Sequence, residues 1–138
     1  MWGQGPHTPG TPHGVDSVIG VGLDLVDIER FRAVLVRQPA LRERLFTGDE
    51  LALAAARLDP VPALAVRFAA KEAVMKALGV GLGAFAFHDV EVLKRDSGAP
   101  ELRVTGAAAV LAGERGVTGW HISLSHSVTT AGAVVSAL

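Results

Sequence analysis

Cysteine is absent from the 138 residues of the chain. That excludes disulfides, thiolate nucleophiles and cysteine-ligated zinc. Lysine is scarce: Lys71, Lys76 and Lys94 are the only three, so the basic charge is mostly arginine. Neither sign of charge dominates, with a formal net charge of −1, and nothing global calls for nucleic acid. No apolar run reaches the ~18 residues of a membrane span. The segment Met1 to Gly14, rich in Gly, Pro, Thr and His, lacks the apolar stretch of a secretion signal. It reads as a disordered extension in which His7 and His13 carry no ligand pattern. These absences lead us to expect a cytoplasmic protein with no membrane or nucleic-acid partner. Residues 15–138 are expected to form a single domain, since 49% hydrophobic content supplies a core for one unit of this length.

What is present is organised as strands around helices. In Val18 to Val26, Val21, Leu23 and Leu25 alternate with Gly20, Gly22 and Asp24, as in a strand. The two glycines leave bare backbone beside a carboxylate, so something can approach closely there. Asp27 can cap a helix with Ile28, Phe31 and Leu35 as its apolar stripe. Pro39 interrupts it, and Leu41 and Leu45 add another turn or two. Thr47-Gly48-Asp49-Glu50 fits a capping box opening a short helix through Arg57. The main helix is expected from about Pro62 to Leu78, with Gly79 as its stop. Strands are expected at Asp89 to Arg95 and Glu101 to Val104, joined by an Asp-Ser-Gly turn. Thr105 can cap a small Ala-rich helix ending near Gly116, and this helix with strands at Trp120 to Ser125 and Ala131 to Leu138 completes the order β-ααα-ββ-α-ββ. That order is α+β and lacks the repeated βαβ of a doubly wound sheet.

Familiar nucleotide motifs fail. Gly20-Val21-Gly22 lacks the third glycine of a dinucleotide fingerprint, because Leu25 stands in its place. No Walker A pattern and no G-x-S-x-G elbow occur. The better candidates are Asp24 and Glu72. Two carboxylates, with waters and substrate phosphates, suit a hard cation such as Mg²⁺, and oxygen-only ligands favour Mg²⁺ or Mn²⁺ over zinc. Lys76, four residues after Glu72, shares its helical face, as does Phe68. A pyrophosphate site and an ordinary Glu72–Lys76 ion pair both fit this spacing. His121, Ser123 and Ser125 share one strand face, but alternate strand positions rarely make a nucleophile–base pair. His126 reads as a strand-end residue. Arg30, Arg32, Arg37, Arg42 and Arg44 form a local basic patch. It suits an acidic partner or is a solvated helix face.

Three blocks, taken together, carry a resemblance. Gly20-Val21-Gly22-Leu23-Asp24-Leu25, the segment Arg67-Phe68-Ala69-Ala70-Lys71-Glu72-Ala73-Val74-Met75-Lys76-Ala77-Leu78-Gly79, and Trp120-His121-Ile122-Ser123-Leu124-Ser125-His126-Ser127 occur in that order. Together they resemble the bacterial holo-[acyl-carrier-protein] synthases, the small 4′-phosphopantetheinyl transferases, over about residues 18–138. The resemblance implies the 4′-phosphopantetheinyl transferase fold. It also implies transfer of the phosphopantetheine arm of coenzyme A to a serine of an apo acyl carrier protein, with release of adenosine 3′,5′-bisphosphate. Asp24 and Glu72 then match Mg²⁺ ligands, Lys76 a pyrophosphate contact, and His121 a histidine near the coenzyme A site. Glu72, directly or through a water, would assist deprotonation of the serine. Arg30 and Arg44 match positions that meet the acidic carrier, and a homotrimer with sites between subunits is implied. Lys71, Lys94 and Arg67 are candidates for the coenzyme A 3′-phosphate. Two rival readings are a Mg²⁺-dependent nucleotide pyrophosphate hydrolase and a non-enzymatic module that binds an acidic protein.

Overall fold

The computed structural model describes residues 17–138; the N-terminal extension with His7 and His13 lies outside the described residues. Strand β1 (Gly20–Asp27) is followed by helices α1 (Ile28–Arg37), α2 (Leu41–Leu45), α3 (Gly48–Ala55) and α4 (Val61–Ala77). A 3-10 turn at Phe87–Asp89 leads into strands β2 (Val90–Lys94) and β3 (Pro100–Val104). Helix α5 (Gly106–Glu114) and strands β4 (Trp120–His126) and β5 (Thr130–Ala137) follow. The α+β order is the expected one, with the Leu41–Leu45 turn as a short helix of its own.

The local chemistry explains the boundaries. Asp27 accepts the Arg30 amide at 2.8 Å and so caps α1. The Thr47–Glu50 capping box opens α3 with both reciprocal bonds formed. Helix α4 ends because Gly79 adopts φ +70, which lets the Gly79 and Val80 amides reach the Lys76 and Met75 carbonyls. Thr105 stands at the N-cap of α5, but its side chain does not cap it. Asp89 does so from the 3-10 turn, accepting the Ala108 amide at 3.3 Å.

Strands β1, β5 and β4 form an antiparallel sheet with β5 in the centre, and β2 pairs with β3 as a separate hairpin. Twelve of the seventeen α4 residues are buried, which makes α4 the central element of the fold. One apolar cluster joins α4 to the inner face of the sheet, α5 and β2; a second joins its first half to α1, α2 and α3. The two glycines of β1 explain how α4 lies so close. A Cβ on Gly20 would fall 1.9 Å from the Ala77 carbonyl oxygen, and one on Gly22 would fall 1.8 Å from that of Ala73. What approaches the bare backbone of β1 is thus the chain's own central helix. No helix among the described residues is long and apolar enough to cross a membrane.

Candidate active site

The inner face of β1 runs Gly20, Gly22, Asp24. Where the glycines end, the aspartate side chain emerges beside the polar end of the α4 surface. Lys76 donates to Asp24 Oδ1 at 2.9 Å and to the Leu23 carbonyl at 3.1 Å. Among the described residues, the ion-pair partner of Lys76 is therefore Asp24, on another element, rather than Glu72 one helical turn away. Glu72 lines the same cavity as Asp24. Burial pushes its carboxyl above the usual glutamate range, the Asp24 charge adds to the rise, and Lys76 opposes it. Two carboxylates pressed together with one ammonium leave net negative charge in a partly desolvated place. That charge balance fits a divalent hard cation sharing its remaining positions with waters and phosphate oxygens. Among the described residues no group of three acidic or histidine side chains forms a closed metal cage.

The cavity, of about 530 Å³, is bounded by β1, α1, α2, α4 and the loop before β2. Phe68 stacks between Phe31 and Phe87, with centroids 5.2 Å and 5.8 Å away. These rings form an apolar wall next to Glu72. Arg30 stands at the rim, and Arg44 is exposed on α2. Of the remaining arginines in the basic patch, Arg32 is neutralised. It binds both carboxylate oxygens of Asp59, at 3.0 Å and 2.7 Å, and also contacts Glu29.

His121 is not part of this constellation within one chain. It lies on β4, opposite Ser136 of β5, which in turn faces Val21. From strand spacing and rise, its backbone is roughly 14 Å from that of Asp24. Its side chain is on the outer sheet face, whereas Asp24 faces α4.

A second cavity, of about 340 Å³, joins Arg67 and Lys94, both candidates for the coenzyme A 3′-phosphate, to two residues that the sequence did not associate with them. Arg57, Arg67, Lys94 and His126 line it with the Gly98–Pro100 end of the β2–β3 hairpin. Arg67 is fixed there by donating to the Val92 and Ala63 carbonyls, both at 3.1 Å. Burial lowers its pKa from the usual guanidinium value. The missed signal was strand alternation: His126 belongs with Trp120, Ile122 and Leu124 on the inner face, not with His121. Lys71, also considered for phosphate contact, is unavailable. Its ammonium is fully buried and donates to Glu50 at 2.8 Å, to the Phe87 carbonyl at 3.0 Å and to the Val90 carbonyl. Those bonds use its three hydrogens.

A model of the 4′-phosphopantetheinyl transferase superfamily matches residues 20–135. The holo-[acyl-carrier-protein] synthase of Streptomyces griseus is 52% identical over 120 residues, which cover 87% of this chain and 98% of that protein. The crystal structure of the Neisseria meningitidis holo-[acyl-carrier-protein] synthase matches with a TM-score of 0.81 at 32% identity, covering 88% of this chain and 99% of that one. A Bacillus anthracis holo-(acyl-carrier-protein) synthase, solved in complex with CoA (3′,5′-ADP), matches with a TM-score of 0.73 at 32% identity, covering 87% and 96%. The chain belongs to the 4′-phosphopantetheinyl transferase superfamily. Its relatives along nearly their whole length are holo-[acyl-carrier-protein] synthases, and the chain is an enzyme of that phosphopantetheine-transferring kind.

Proposed function

We propose that this enzyme moves the 4′-phosphopantetheine group of coenzyme A to a serine of an apo acyl carrier protein, releasing adenosine 3′,5′-bisphosphate with the help of Mg²⁺. The observation that carries the reading is the juxtaposition of Asp24, Glu72 and Lys76 at the end of the glycine-lined β1–α4 contact. Asp24 and Glu72 are the residues that would hold the cation. When bound, it supplies positive charge to the pyrophosphate oxygens. Lys76 neutralises the bridging or leaving oxygen. Glu72, directly or through a water, assists removal of the proton from the serine hydroxyl. The serine oxygen bonds to the phosphorus of phosphopantetheine, and the bond from that phosphorus to the bridging oxygen breaks. The electron pair leaves with the adenosine bisphosphate. Arg57, Arg67, Lys94 and His126 supply a cationic cleft for a phosphate of coenzyme A.

Two features support a site completed by further copies. The outer sheet face is apolar yet open, with Val21, Leu23 and Leu25 each more than half exposed. It also carries His121, which cannot serve Asp24 of its own chain. A homotrimer would cover that face and bring His121 towards a neighbour's cavity, and light scattering measures the assembly directly. Arg30 and Arg44, beside the cavity, would receive the acidic carrier.

Mass spectrometry of apo carrier protein incubated with enzyme, coenzyme A and Mg²⁺ tests the proposal. The expected result is the gain of one phosphopantetheine, lost on chelation. Release of free phosphopantetheine without a carrier would instead favour the hydrolase. Carrier binding that persists without metal and after loss of both Asp24 and Glu72, with no mass gain, would favour a docking module.

A further inference from the structure

Three consecutive residues in the 3-10 turn each hold a different helix. The Phe87 ring stacks on Phe68 of α4, and its carbonyl accepts Lys71 at 3.0 Å. Asp89 caps α5 through the Ala108 amide. Between them, His88 places Nε2 2.5 Å from the Glu43 carbonyl oxygen of α2. A carbonyl only accepts, so this partner assigns the proton to Nε2.

Helix α2 needs such a bond. It has five residues, no side-chain cap at its N-terminus, and a length far below what is stable by propensity alone. Glu43 is within its last turn, where carbonyls lack intrahelical partners. Yet α2 carries Arg42 and Arg44, while Leu41 and Leu45 form part of the cavity wall that also includes Asp24, Glu72 and Arg30. The turn itself is poorly placed to yield. The buried Lys71–Glu50 pair holds it on one side, and the Asp89 cap holds it on the other.

We propose that His88 is a positioning residue for carrier binding: its hydrogen bond to Glu43 fixes α2, and with it the exposed Arg44, against the cavity that Leu41 and Leu45 help to wall. The inference rests on the docking role proposed above for the arginines. His88 does not line the cavity that holds Asp24 and Glu72, so its loss is expected to act on carrier binding alone. Removing one hydrogen bond of ordinary strength corresponds to a roughly fivefold change in an equilibrium.

The test compares wild type, His88→Ala and His88→Gln as full-length enzymes. His88→Ala is expected to raise KM for apo carrier about fivefold, with KM for coenzyme A and kcat at saturating carrier unchanged. His88→Gln, which keeps an N–H donor, is expected to recover most of the loss. In the His88→Ala background, Arg44→Glu should cost less than it does in wild type, because the two act through one helix. Direct titration of apo carrier onto the enzyme, without coenzyme A, should show the same fivefold weakening. Equal rises in both KM values, a fall in kcat alone, a glutamine variant as impaired as alanine, or unchanged direct binding would each overturn the proposal. Beside the mass-spectrometric transfer assay with coenzyme A, the titration separates the two readings: wild type that binds carrier but adds no phosphopantetheine in that assay defeats the transferase, while the latch still stands or falls on the change in binding.

Discussion

Replacing Gly22 with alanine is the sharpest perturbation the fold offers. The added Cβ would lie 1.8 Å from the Ala73 carbonyl oxygen, 2.7 Å from the Ala73 carbonyl carbon and 2.9 Å from the Ala77 amide nitrogen. All three atoms are backbone of α4, so no side chain can swing aside. Reaching even a 3.0 Å separation requires β1 and α4 to part by ~1.2 Å, although α4 is packed in the main core and β1 is paired with β5 along its whole length. Overpacking of this kind costs about 3 kcal/mol, the upper part of the usual range, because rigid elements must move. For a chain of this length that is a fall in Tm of roughly 10 °C. The displacement also reaches the site, since Asp24 follows two residues along the same face and must stay beside Glu72. A misplacement of ~1 Å at a reacting centre costs on the order of 100-fold in rate. Calorimetric melting and single-turnover transfer, read at a temperature where the variant remains folded, measure the two effects separately. Gly48→Ala is the control: nothing lies within 4 Å of its added Cβ, and at the start of α3 it should be neutral or slightly stabilising. If Gly22→Ala melts with wild type and transfers at the wild-type rate, the β1–α4 argument is wrong.

Other outcomes can be checked on the same preparation. In metal-free buffer at neutral pH, Glu72→Gln should melt higher than wild type, because the raised carboxyl pKa means the folded state favours the protonated form. That advantage is present above the raised folded value and vanishes below the ordinary glutamate range, so the two melting curves should converge in acid. Added Mg²⁺ should raise the Tm of wild type but not of Glu72→Gln, which should also lose transfer activity. Lys71→Met should cost about 3–5 kcal/mol by leaving the Glu50 carboxylate buried and unpaired, and Lys71→Met with Glu50→Gln should recover part of it in denaturant titrations. Asp89→Ala should cost about 1 kcal/mol through loss of the α5 cap, whereas Thr105→Ala should cost less.

The elements with local signals were legible in the sequence. Asp27, the Thr47–Glu50 capping box and Gly79 mark helix ends through bonds that span at most five residues, and each is formed. The β4 alternation is also visible, and carried one step further it puts His126 on the face of Trp120, Ile122 and Leu124. What could not be read depended on contacts far apart in sequence. The spacing of Glu72 and Lys76 suggests a pair, but 52 residues separate Lys76 from the Asp24 it binds. Lys71 and Lys94 look alike as letters; burial against Glu50 removes one from solvent, while the hairpin leaves the other lining a cleft. Thr105 is the cap its sequence position offers, but the cap that forms comes from Asp89 on another element, which no local pattern reveals.

The pairing of β1 with β5 bears on how this enzyme comes into being. Asp24 is synthesised ahead of the other residues that line its cavity, yet its strand hydrogen-bonds to Thr130–Ala137, about a hundred residues later. Strand β4 contacts β1 only through β5. During synthesis, therefore, the backbone of β1 must wait without its β5 partner while five helices, a hairpin and β4 emerge. Pairings of such long sequence separation form slowly and expose strand edges in the interval. A ribosome-bound chain arrested before β5 should have α3 and α4 in place but no seated Asp24. The catalytic residue encoded earliest would be the one that reaches its place last.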